Sequence, residues 1–178
     1  FCRKVQIPFD VYTFTTGIND RYLDDESLAN TISFEGVSLI QVLSSSAKKK
    51  QLDADIFNLY CSSLRIAHGS PLPYSPYMNM GGTPLNNALF LIPDIIKNFK
   101  NKTGAQKVSF VCVTDGESSP VEYFYLRENY KGEKTLHSNH VYYEKLMVRT
   151  GSSVFPITAD NRGTPGVIDW LKNQLDDV

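Results

Sequence analysis

The chain is poor in several features that would narrow its role. Its three cysteines, Cys2, Cys61 and Cys112, lie far apart in 178 residues. An odd, scattered set supplies neither a disulfide framework nor zinc spacing, and it fits a reducing intracellular setting. Neither sign of charge dominates: 18 Lys and Arg against 19 Asp and Glu leave a net −1. No bulk basic field therefore argues for nucleic acid or an anionic membrane. No apolar run approaches the ~20 residues that a membrane helix needs, and no signal peptide is visible. A Walker A phosphate loop and a convincing Ser/His/Asp or Cys/His nucleophile set are also missing, as are repeats and low-complexity tracts. What is present is 42% hydrophobic and 21% charged, with ten Tyr and ten Phe, enough for one domain over residues 1–178 with a sizeable core.

One stretch organises the rest: Val108-Ser109-Phe110-Val111-Cys112-Val113-Thr114-Asp115-Gly116-Glu117-Ser118. Its β-formers Val108, Phe110, Val111 and Val113 predict a short central strand buried on both faces, with Cys112 as a small hydrophobe inside it. The strand stops at a carboxylate followed by glycine. An Asp at the C-terminal tip of a central strand points into the crevice where α/β sheets bind ligands, and it needs water, a cation or a donor there.

Met80-Gly81-Gly82-Thr83-Pro84-Leu85 closes a proline-rich loop and opens a helix. Thr83 stands where an N-cap belongs and Pro84 at the first helical position. Leu85, Ala88, Leu89, Ile92, Ile95, Ile96 and Phe99 then recur at helical spacing, with Pro93 set to kink the run and Asn101-Lys102-Thr103-Gly104 to end it.

In chain order, Val11-Tyr12-Thr13-Phe14-Thr15 predicts a strand and 37–43 another. Between them 18–36 is acidic, with one short helix near 25–30 and no calcium-loop spacing. Lys48-Lys49-Lys50 leads into a helix whose face carries Leu52, Ile56, Leu59, Tyr60, Ser63 and Leu64. Residues 67–79, with Pro71, Pro73 and Pro76, form a surface loop on which Tyr74 and Tyr77 are candidate partner-binding anchors. The stretch 119–132 reads as an excursion with little regular structure. His137 and His140 precede a helix carrying Val141, Lys145, Leu146 and Val148; at i, i+3 they could bind a metal in principle, but with no Cys or third His nearby a capping or surface role is favoured. Residues 153–158 predict a last strand, at an edge because of Pro156. Thr164-Pro165 opens a final helix with Ile168, Trp170, Leu171 and Leu175 toward the core. This alternation predicts an α/β fold with a doubly wound, mostly parallel central sheet and helices on both faces.

A Gly-Gly-Thr-Pro-Leu helix start followed by a strand ending Thr-Asp-Gly-Glu-Ser resembles the von Willebrand factor A family. There the Thr hydroxyl and the strand-end Asp belong to a metal-ion-dependent adhesion site. The resemblance thus implies Thr83 and Asp115 as ligands of Mg²⁺ (or Mn²⁺ or Ca²⁺), with Gly82, Gly116, Glu117, Ser118 and Thr15 around them. The family's Asp-x-Ser-x-Ser run after the first strand has no counterpart. Asp25-Glu26-Ser27-Leu28-Ala29 lacks the last Ser and follows no strand, so it is a decoy. Phe1-Cys2-Arg3-Lys4 reads like the last turn of a helix, and a preceding strand and helix of about 25–35 residues are expected to carry the missing run. The metal is conditional on that segment.

Phe14-Thr15-Thr16, Met-Gly-Gly-Thr-Pro-Leu and Val-Thr-Asp-Gly-Glu-Ser are most similar to the intracellular, cobalt-chelatase CobT-type members, whose relatives occur in bacteria and large bacteriophages. That type implies a protein partner, a MoxR-like AAA+ ATPase, and a cytoplasmic or virion location. Three functions follow as expectations. The first is a metal-dependent protein-binding module. The second is a metal-free structural or virion assembly protein on the same scaffold. The third is an enzyme, a chelatase subunit or a metal-dependent hydrolase, which would need a further ligand cluster or an activated water near Glu117.

Overall fold

The computed structural model describes residues 1–16, 25–34, 37–69, 71–72, 81–114, 116–140, 146–158 and 163–176. Strand β1 (Asp10–Thr15) pairs antiparallel with β2 (Ser38–Ser44), where β-branched and aromatic residues predict both strands. Between them the short helix is a 3₁₀ turn, Glu26–Leu28. The Asp25 carboxylate accepts from the Ser27 N–H at 2.9 Å; hydrogen bonding from the Ser27 hydroxyl, and then from that N–H, holds its pKa below the usual carboxylate range. Asp25 is therefore occupied as a local cap.

Helix α1 (Lys49–His68) follows, ending at Gly69 with φ 62°, a left-handed cap that suits glycine. It packs against β2 and buries Leu52, Cys61 and Ser62, while Ile56, Phe57 and Tyr60 face outward. The predicted face thus holds at Leu52 and not at Ile56 or Tyr60. Pro93 acts as expected: the apolar run splits into α2 (Leu85–Leu89) and α3 (Ile92–Thr103), with Pro93 in the first turn of α3 and Gly104 closing it at φ 70°.

The second half of the chain departs from the sequence reading. Residues expected to be irregular, or to precede a helix, form a hairpin of β3 (Glu122–Glu128) and β4 (Lys134–His140), and Leu146 and Val148, expected inside that helix, instead lie on β5 (Leu146–Thr150), which a second hairpin joins to β6 (Ser153–Ile157). Pro156 lies on β6 opposite Met147. Helix α4 (Thr164–Asp176) then packs across β6.

The largest correction concerns the sheet. A doubly wound parallel sheet is not formed; the described strands make three two-stranded antiparallel sheets, β1–β2, β3–β4 and β5–β6. In each sheet the two strands are consecutive in the chain. Residues 108–114, expected at the buried centre, are not in a ladder, and Val111 and Val113 are 78% and 84% exposed. Cys112 is exposed as well, although the packing that remains around its sulfur pushes the thiol's pKa up.

The core instead joins α2, α3 and α4 to β6. Leu85, Leu89, Ile92, Ile96, Val121, Ile157, Val167, Trp170 and Leu171 form one cluster, while Ile168 turns outward, contrary to expectation. Each fully buried Val or Ile contributes roughly 1.5–3 kcal/mol. Phe90 tilts against Trp170 with centroids 4.6 Å apart, and the indole N–H donates to Thr150 Oγ1 at 2.7 Å. Gly166 allows α4 to approach β6, since a Cβ there would lie 2.4 Å from the Pro156 carbonyl oxygen. Gly166→Ala is therefore expected to lower stability by about 1–3 kcal/mol, as overpacking does. Urea unfolding checks this; an unchanged midpoint would mean that α4 sits farther from β6.

Candidate functional site

Three chain segments meet at the N-terminal end of α2. The first is the end of β1, where Thr15 is buried and Thr16 follows. Thr15 Oγ1 accepts from the Gly81 N–H and Thr16 Oγ1 from the Gly82 N–H, each at 3.3 Å. The glycines are required here by space: a Cβ on Gly81 would lie 2.1 Å from Thr16 Oγ1, and one on Gly82 2.8 Å from Thr16 Cγ2. Close backbone approach, anticipated for this pair, is thus made to the chain's own β1.

The third segment is 116–119. The Ser119 N–H donates to the Thr83 carbonyl at 2.7 Å, pinning it to the Gly-Gly-Thr turn. Buried Ser118 donates to the Ser119 carbonyl at 2.8 Å and accepts from the Asn86 N–H at 2.9 Å. Ser118 therefore does for α2 what Thr83 was expected to do. The N-cap position is held by Pro84, which has no hydroxyl, and Thr83 lies one residue too early.

That shift changes what Thr83 is available for. Its hydroxyl makes no hydrogen bond among the described residues, whereas those of Thr15, Thr16 and Ser118 are engaged. It lies beside Gly116, where a Cβ would come within 3.8 Å of Thr83 Oγ1. Thr15, Gly82, Thr83, Gly116 and Ser118 are thus brought together. Glu117 is exposed at the rim, while Asp115, Tyr74 and Tyr77 lie outside the described residues. The half-buried Thr83 hydroxyl, next in space to the residue following Asp115, is a hard oxygen donor of the kind that suits Mg²⁺ or Ca²⁺. Among the described residues no group of three His, Cys, Asp or Glu side chains gathers. His137 and His140 take no part: one ring meets Thr135 Oγ1 at 2.9 Å, the other Glu122 at 3.4 Å.

Two residues that the sequence reading passed over hold the site in place. Asn86 donates from Nδ2 to the Ser119 carbonyl at 3.2 Å. Asn87, buried, donates to the Ser33 carbonyl and accepts from the Glu122 N–H at 3.3 Å. Two adjacent asparagines inside an apolar helix were the available signal, because buried amides need partners.

These assignments separate cleanly by substitution. Thr83→Val should change stability by less than about 0.5 kcal/mol, because no hydrogen bond is lost. Ser118→Ala should cost about 0.5–2 kcal/mol as a lost cap. Asn87→Leu should cost more, about 1–3 kcal/mol for each backbone group left unpaired. Thermal unfolding of the three variants tests the order, and a Thr83→Val loss equal to that of Ser118→Ala would restore Thr83 as the cap.

Among the described residues no helix is long and apolar enough to cross a membrane. Compared with known proteins, the chain matches no family model, no curated protein and no solved structure.

Proposed function

We propose that this chain is a protein-binding module whose contact point is a hydroxyl-lined cation site of the von Willebrand factor A type. The observation that carries the reading is the Thr83 hydroxyl beside Gly116, which makes no hydrogen bond among the described residues while Ser118 caps α2. In this reading Thr83 supplies a neutral oxygen and Asp115 the charge. Mg²⁺ is the fitting ion, since it takes one or two protein oxygens and keeps waters at its other positions. When bound, the cation offers one of those positions to a carboxylate of the partner protein. Thr15, Thr16 and Ser118 fix the backbone that carries the ligands, and their role is positional. The partner class that the CobT-type resemblance suggests is an AAA+ ATPase.

Titration calorimetry with Mg²⁺ on the native full-length polypeptide tests the reading. Binding should disappear in Asp115→Ala and weaken in Thr83→Val. Ser118→Ala should weaken it by about 10–100-fold, as loss of a ligand-orienting group does. A native protein that takes up no Mg²⁺, Mn²⁺ or Ca²⁺, or binding that survives Asp115→Ala, overturns the proposal.

A further inference from the structure

Thr114 grips its chain neighbour two positions on. Its hydroxyl accepts from the Gly116 N–H at 3.4 Å and donates to the Gly116 carbonyl at 3.3 Å. Both backbone polar groups of one residue are thus bonded to one side chain, a local pattern that Ser and Thr offer in turns. Thr is also β-branched and stiff at its first side-chain torsion, so the oxygen holds a fixed direction from the backbone.

Gly116 is placed from a second direction as well. A Cβ there would lie 3.8 Å from Thr83 Oγ1, an ordinary contact distance. The segment that follows is anchored by the Ser119 N–H on the Thr83 carbonyl at 2.7 Å. The chain enters position 115 from Thr114 and leaves it through Gly116, and one hydroxyl ties those two residues together. Stability does not account for this clamp. Thr114 and Gly116 are both exposed, and bonds that face solvent add little to a fold because water offers the same partners. Restricting the chain on either side of a ligand is what such a clamp does well.

We propose that Thr114 is a positioning residue of the cation site: through Gly116 its hydroxyl fixes the backbone that carries the Asp115 carboxylate, and thereby makes the site select Mg²⁺ over Ca²⁺. This rests on the Thr83 and Asp115 reading. Mg²⁺ demands near-octahedral oxygens at about 2.0–2.1 Å, whereas Ca²⁺ takes roughly six to eight at about 2.3–2.6 Å in flexible arrangements. A backbone free to swing therefore costs Mg²⁺ more than Ca²⁺. Thr114 gives the ion no oxygen of its own, because its hydroxyl is engaged by Gly116 on both sides.

Two variants of the native full-length polypeptide test this. Thr114→Val keeps the shape and removes the hydroxyl; Thr114→Ser keeps the hydroxyl and removes the methyl. In Mg²⁺ titration calorimetry Thr114→Val should bind roughly 10–100-fold more weakly, as loss of a ligand-orienting group does. Ca²⁺ affinity should fall less, so the Mg²⁺-to-Ca²⁺ preference narrows. Thr114→Ser should restore both. Exchange of the Gly116 amide, read by NMR without metal, should quicken in Thr114→Val and return to the parental rate in Thr114→Ser. Thermal midpoints should match throughout. Parental Mg²⁺ affinity in Thr114→Val overturns the positioning role and leaves the Thr83 and Asp115 reading standing. Equal losses in both variants would mean that shape, not the hydroxyl, matters, and a fallen midpoint in Thr114→Val would make the residue structural; either result overturns the proposal. A parent protein that takes up no divalent ion overturns both readings together.

Discussion

The side-chain amide of Asn87 is the constraint on which the rest of the site depends. It sits in the middle of α2, almost wholly enclosed, and joins the Ser33 carbonyl to the Glu122 N–H. A buried amide satisfied on both sides fixes distance and rotation more tightly than apolar contact does. Through it, a five-residue helix too short to be stable by itself is held against the strip 31–33 and the start of β3. Asn86 repeats the device one residue earlier, toward Ser119. Once α2 is placed, Ser118 lies where its hydroxyl caps the helix, the Gly-Gly turn lies against Thr15 and Thr16, and the Thr83 hydroxyl has no hydrogen-bond partner among the described residues.

What could be read from the residues follows how far their determinants lie in sequence. β1, β2, the left-handed end of α3, and α4 carry their signals within a few positions, and they form where expected. The assembly of Thr15, Gly82, Thr83, Gly116 and Ser118 was also foreshadowed by motif resemblance. Pairing was not. β4 reads Lys-Thr-Leu-His-Ser-Asn-His, and only Leu136 in it is buried, so it shows no alternation of its own and exists as a strand because β3 lies beside it. The Thr-Pro cap rule failed for a similar reason: a hydroxyl 32 residues away reached the helix first.

Residues 108–114 show the opposite case. Strand propensity there is high, and neighbours on both sides are wanting among the described residues. Propensity in a sheet expresses how well a side chain fits a pleated, half-buried surface, and without that surface it does not by itself make a strand. The same absence dissolves the expected parallel sheet, because a central strand with no ladder cannot organise its flanks. The apolar helices α2, α3 and α4 pack on one another and on β6 instead.

The local pairing of the strands also sets a timetable. The β3–β4 and β5–β6 hairpins each close a short stretch of chain, an event on the microsecond scale. The bond from Asn87 to Ser33 closes 54 residues. Loop entropy of that size must be overcome before the contact returns anything. The expected order is therefore hairpins first and the Thr83 turn, which bonds to Thr15 and Thr16 across 66 residues, last.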